Sequence, residues 1–172
     1  MPSPNLVAQS DFGPIIINVN DRFIGQSILK TGQWERNEID LISGLIKVIL
    51  QRKDQALIYD VGANIGTHSL ALAKLFGARI RIRAFEAQRP VFNMLNGTLA
   101  LNGLYSVMTH HVAVSEKSGD TLSITLPDYN NTNNFGGLEL VAPKITDNQS
   151  MSHSATEDVA TLALDDFNEI VD

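Results

Sequence analysis

The chain has 172 residues, close to the roughly 150 expected of a single domain. Apolar residues make up 44% and charged residues 19%, which excludes a charge-rich disordered chain. The net charge of −6 divides into +3 over residues 1–90 and −9 over residues 91–172, a poor fit to nucleic-acid binding.

In chain order, Ile15–Val19 is β-branched and closes on Asn20–Asp21, which predicts a strand and a turn. Glu38–Leu50 places Ile39, Ile42, Leu45, Ile46 and Ile49 at helical spacing. Ala56–Val61 reads as a buried strand, Gly62–Gly66 as a loop, and Thr67–Phe76 as a helix ended by Gly77. A second strand is expected over Ile80–Phe85. Period-two spacing there puts Arg79, Arg81 and Arg83 on one strand face, read as solvated or else as an anion site. Pro90 suits a first helical position, and Val91, Leu95 and Leu99 continue that helix toward Gly103. A third strand covers Val107–Val114, and Thr121–Leu126 alternates like a strand. Asp128–Gly137 is a polar loop with Leu138–Val141 as the expected hairpin partner. Lys144–Asp158 is short of large apolar side chains and reads as a lid or a disordered stretch. Val159–Leu164 could form a last strand, followed by the acidic pair Asp165–Asp166.

Strands alternating with helices predict an α/β fold, a parallel sheet flanked by helices. We read residues 1–172 as one domain. An N-terminal strand and helix occupy 1–55, a ligand-binding core 56–115, and a hairpin or lid with the C-terminal segment 116–172. No apolar run is long enough to cross a membrane. The opening MPSPNLVAQSDFGP has neither a basic flank nor an apolar core, so a cytoplasmic domain without a membrane partner is expected. There is no cysteine, and the four histidines show no metal-ligand spacing, so no metal site is expected.

Residues 57–75, LIYDVGANIGTHSLALAKL, carry the chemistry. A buried strand ends at Asp60, and a glycine loop leads into a helix. That arrangement puts free backbone N–H groups and a helix dipole at the carboxyl edge of the sheet, where ligands bind in this fold class. Gly62 and Gly66 leave room for close approach of a ligand. A dinucleotide fingerprint would place glycines at 62, 64 and 67, but the last two positions are Asn64 and Thr67. Glu86 ends the second strand, 24 residues beyond Gly62, where a carboxylate can accept bonds from ribose hydroxyls.

VGANIGTHSLALA, AFEAQRPVFNMLNGTLALNGL and HVAVSEKSG resemble the FkbM-type S-adenosylmethionine-dependent methyltransferases, and GQWE (32–35) and LALDDF (162–167) fit the same pattern. The resemblance spans about Thr31 to Phe167 and implies a Rossmann-like, class I methyltransferase fold. It also implies S-adenosyl-L-methionine as cofactor and O-methylation of a sugar or natural-product hydroxyl. Carried over, Asp60, Gly62, Ala63, Asn64 and Gly66 would line the methionine part of the cofactor. Glu86 would hold the ribose, with Ala87 beside the adenosine and His111, Val112 and Ala113 at the adenine. By the GQWE match Glu35 would cap the methionine end, unless it is a first-turn acid complementing its helix dipole. No catalytic base is identified. The NNTNNFGG loop is a candidate acceptor contact, or else a hairpin tip.

The resemblance further implies that members continue past LALDDF into another core strand. The expectation is therefore a domain truncated after its third core strand and a β-hairpin insertion. Ala56–Val61 would then be an exposed edge open to self-association, unless Val159–Leu164 pairs beside it with Asp165 facing the crevice. Two alternatives stay open: an adenosyl-ligand-binding module or inactive fragment without turnover, and a nicotinamide-dependent oxidoreductase.

Overall fold

The computed structural model describes residues 3–137 and 153–167. Strands β1 (Asn5–Ser10) and β2 (Gly13–Asn18) form an antiparallel hairpin. Helices α1 (Ile24–Thr31) and α2 (Arg36–Ile49) follow. The core is β3 (Ala56–Val61), α3 (Thr67–Phe76), β4 (Ile80–Glu86), α4 (Arg89–Leu101) and β5 (Met108–His111). These three strands lie in the order β3-β4-β5 and pair in parallel. The chain is thus a mixed α/β protein whose parallel sheet is flanked by helices, the Rossmann-like arrangement expected.

Alternation along the strands explains the packing. Ala56, Ile80, Ile82 and Ala84 share one sheet face and bury against Leu72 of α3 and Leu95 and Leu99 of α4. The other face carries an aromatic cluster. Phe85 stacks on His110 at 5.0 Å, and Phe167 meets Tyr59, Phe85 and His110 edge-on. His110 and His111, adjacent in β5, therefore serve opposite faces, as period two requires. Of the three arginines, Arg79 lies in a short 3-10 turn ahead of β4 and donates to the Leu50 carbonyl. Arg81 donates to Gln55 and Arg83 is buried, so no solvated triad forms.

The third predicted strand breaks at Val112. Its first part pairs with β4 until β4 ends at Glu86, opposite His111. Its second part, β6 (Ala113–Val114), changes partner and runs parallel to β8 (His153–Leu162). β7 (Thr121–Pro127) pairs antiparallel with the same strand, giving a second sheet, β6-β8-β7. This corrects two expectations. The stretch up to Asp158 is a strand from His153 onward, and in Val159–Leu164 the first two residues pair with β7 and Thr161 and Leu162 with β6, none beside Ala56–Val61. Leu138–Val141 lies outside the described residues. Among the described residues β3 pairs only with β4, and Val61 at its end is 51% exposed.

Two elements escaped the sequence reading. β1 mixes polar and apolar residues and gains its order from pairing with β2. α1 is only eight residues long and contains Gly25. The first turn of α1 is secured by Asp21, whose carboxylate accepts bonds from the N–H groups of Phe23 and Gly25 at 3.2 and 3.0 Å.

Two glycines give opposite tests of this packing. Gly66 has φ +92°, and a Cβ there would lie 2.7 Å from Cδ1 of the fully buried Leu95. Gly66→Ala should therefore cost about 1–3 kcal/mol in urea unfolding. Gly44 sits inside α2 with nothing within 4 Å of its Cβ position, so Gly44→Ala should stabilise by about 0.5–1 kcal/mol in the same measurement.

Candidate functional site

The β3–α3 loop is held by hydrogen bonds from each of its N–H groups over residues 62–66. Gly62 and Ala63 both donate to the Phe85 carbonyl at 2.9 Å, and Gly66 donates to the Ala63 carbonyl. Asn64 N–H donates to Oε2 of Glu86 at 3.0 Å, and Ile65 N–H to the Asn64 side chain at 2.8 Å. Asn64 has φ +50°, a left-handed conformation that asparagine tolerates better than most residues. The loop thus offers no free N–H over residues 62–66, contrary to the expectation of free backbone N–H groups there. Gly62 (φ +74°) has nothing within 4 Å of its Cβ position, so it borders open space. Gly66 does not, and it lines neither cavity: its missing side chain makes room for Leu95 of α4.

Two carboxylates flank the loop. Asp60, the penultimate residue of β3, accepts a 2.6 Å bond from the Ser69 hydroxyl in the first turn of α3. Burial pushes its carboxyl above the usual range, and the Ser69 bonds and the nearby His68 oppose that shift. Glu86, 5% exposed, accepts from Asn64 N–H and, at 2.8 Å, from Gln88 N–H. Burial also raises the Glu86 carboxyl, against the N–H bonds of Gln88, Asn64 and Ala87.

These groups line a cleft across the carboxyl ends of β3 and β4. Its larger cavity, about 810 Å³, is bounded by Asp60, Gly62, Ala63 and Asn64, with Glu35 and His68 on the far wall. A smaller cavity of about 170 Å³ adjoins it, bounded by Glu86, Ala87, Val112 and Ala113. Val61, Gly62, Asn64 and Gly136 border both. His111 is the exception among the expected residues. Its Nε2 lies 2.8 Å from the Ala87 carbonyl and 3.5 Å from Glu157, and its ring leans on Phe92, so it braces the wall from behind. Glu35 is the N-cap residue of α2, in a left-handed conformation and without a side-chain capping bond.

The polar loop before Leu138 proves to be part of this wall. Phe135 is buried against Tyr129, whose hydroxyl donates to Oε1 of Gln88 at 2.7 Å. Gln88 donates in turn to the Phe135 carbonyl at 3.0 Å. Burial and the carboxylates of Glu86 and Glu157 raise the Tyr129 pKa, so its hydroxyl keeps the proton it donates. Asn133 N–H donates to Asn20, and Arg22 N–H donates back to Asn133, which ties the loop to the start of α1. Asn134, Gly136 and Gly137 consequently face the larger cavity. The support from Tyr129 and Gln88 had no signal in the sequence, because the partners lie 41 residues apart.

No protein-family profile matches this chain, and no curated protein matches it. Solved structures with partial likeness include a provisionally named transferase from Pyrococcus horikoshii, 20% identical with a TM-score of 0.46, covering 64% of this chain and 37% of that one. A SAM-dependent methyltransferase from Agrobacterium tumefaciens is 11% identical at a TM-score of 0.45, covering 66% and 34%. Trm5b from Pyrococcus abyssi is 14% identical at 0.43, covering 67% and 32%. The chain thus spans about a third of the length of these proteins. The FkbM-type likeness remains one of motifs. Among the described residues no helix is long and apolar enough to cross a membrane.

The raised carboxyls carry a pH signature. A carboxyl whose folded pKa exceeds its unfolded value holds its proton more tightly when folded. Stability from that group is full below the ordinary value, 3.8 for Asp60, and is lost as pH rises through the folded pKa. Asp60→Asn removes this titration. Urea unfolding between pH 4 and pH 7 should show the variant gaining on the native chain as pH rises, by up to about 1.4 kcal/mol per pH unit inside the window. A difference independent of pH would mean that Asp60 is not desolvated.

Proposed function

We propose that the chain binds S-adenosyl-L-methionine and serves methyl transfer to a hydroxyl of a small acceptor, a sugar or natural product. The observation that carries this reading is the polarity of the cleft. Its loop N–H groups are already bonded within the protein, while a carboxylate stands at each end. Such a surface suits a ligand with cationic groups and ribose hydroxyls better than one bearing a pyrophosphate. The nicotinamide alternative loses support on the same ground. In addition, Thr67 is buried where the third glycine of that fingerprint would sit.

In this reading the adenosine occupies the smaller cavity against Ala87, Val112 and Ala113, and its ribose hydroxyls donate to Glu86. Both Glu86 oxygens already accept N–H groups, and the carboxylate keeps lone-pair capacity for a ribose hydroxyl. The methionine part would cross Gly62, Ala63 and Asn64, with its ammonium toward Asp60. The bound sulfonium supplies an activated methyl group. The chain's own contribution is alignment, holding the acceptor oxygen in line with the methyl–sulfur bond. Asn134, Gly136 and Gly137 border the space where such an acceptor would lie. Binding without turnover shares every feature of this site except the acceptor, and an assay with hydroxyl acceptors separates the two.

Calorimetry with S-adenosylhomocysteine and with NAD tests the cofactor class. Binding of the first and not the second is expected, and the reverse would overturn the reading. Glu86→Gln keeps the shape but swaps one acceptor oxygen for an amide, and should weaken S-adenosylhomocysteine by about 10- to 150-fold, the loss of 1.5–3 kcal/mol. Gly62→Val should fold, since nothing crowds its Cβ position, at a backbone cost of about 1–2 kcal/mol, yet lose the ligand because its side chain enters the cleft.

A further inference from the structure

We infer that Glu35, Glu38 and His68 form a binding site for a divalent cation of the zinc class on the wall of the larger cavity. No local pattern reveals it, because His68 lies 30 or more residues from the two glutamates. One oxygen from each glutamate and a ring nitrogen of His68 lie within 4.8 Å of one another. Nε2 of His68 is 3.9 Å from Oε2 of Glu35 and 3.7 Å from Oε2 of Glu38, too far for hydrogen bonds. A cation with bonds of about 2.1 Å spans ligand atoms roughly 3–4 Å apart, and the two distances from His68 to the carboxylates fall in that range.

The second observation is the imidazole itself. His68 Nε2 is buried and has no hydrogen-bond partner, although buried ring nitrogens normally find one. Its charged neighbours at the site are the Glu35 and Glu38 carboxylates. The neighbouring cation in sequence, Arg36, is committed elsewhere, to Asp11 at 3.2 Å and Asp40 at 3.1 Å. The side chains differ in freedom. His68 is 20% exposed and fixed on α3, whereas Glu35 and Glu38, at 39% and 61%, can close by the few tenths of an ångström required. Two carboxylate oxygens and one imidazole nitrogen favour zinc, cobalt or manganese over magnesium or calcium, which prefer all-oxygen sites. Three protein ligands leave coordination positions open toward the cavity, for water or for an oxygen of a bound ligand.

Titration of the intact chain with zinc chloride, without any adenosyl ligand, tests this directly and independently of the methyl-transfer reading. One equivalent should bind, and His68→Ala and Glu38→Gln should each weaken it more than about tenfold. His111→Ala, whose ring braces the opposite end of the cleft, should bind as the native chain does. Nitrogen-15 spectra of the native chain's imidazoles cover the case of a variant that misfolds, since zinc should shift Nε2 of His68 and leave the ring of His110 unchanged. Absence of binding, equal binding by native chain and His68→Ala, or magnesium binding as well as zinc would overturn the proposal. So would a His68 ring that only takes up a proton from solution and ignores zinc.

Discussion

The buried carboxylate of Glu86 is the constraint on which the rest of the site depends. Taking a carboxylate out of water costs several kcal/mol, and here the cost is offset by backbone N–H donors from both sides. One donor belongs to the β3–α3 loop and the other to the β4–α4 turn, so a single side chain fixes two turns against each other. The second turn carries Gln88, which holds Tyr129 and the Phe135 carbonyl. The wall of the cleft is therefore anchored, through three side chains, to the end of β4. Phe85, one residue earlier, anchors the same loop through its carbonyl.

The same arrangement accounts for the polarity of the cleft. A loop that satisfies its own N–H groups cannot also cradle a phosphate. What remains exposed to a ligand is the shape left by Gly62 and the charge of Asp60, Glu86 and the Glu35–Glu38 pair. The cleft therefore attracts positive charge, and these four acids all come from the half of the chain whose net charge is +3. The buried acids also make the site sensitive to pH, since burial holds Asp21, Asp60 and Glu86 above the ordinary carboxylate range.

Much of the core was legible in the sequence for a simple reason. Ala56–Val61 and Thr67–Phe76 have uniform apolar patterns bounded by turn residues, and both appear with the expected limits. Asp60, Gly62 and Glu86 were legible because strand ends and loop glycines fix their place in a parallel sheet. Features set by long-range partners were not. The break at Val112 depends on β8, whose pairing residues lie some 48 positions downstream. Gly66 looked like a ligand contact because a glycine between strand and helix has two uses, and only Leu95 across the gap decides between them. His111 looked like a cleft residue because it ends its strand there. Its ring turns instead to Ala87 and Glu157, partners that no local pattern reveals. The clustering of His68 with Glu35 and Glu38 is a tertiary fact of the same kind.

The central claim is that one continuous cleft, from Asp60 to Ala113, receives an adenosyl ligand. Amide proton–nitrogen spectra recorded as S-adenosylhomocysteine is added test it most directly. Shifts should concentrate at Gly62, Ala63, Asn64, Ala87 and Ala113, while Met108 and His110 on the far side of the sheet stay unchanged. Saturating ligand that leaves the loop amides unmoved, or that shifts the aromatic face of His110 and Phe167 instead, would contradict the account.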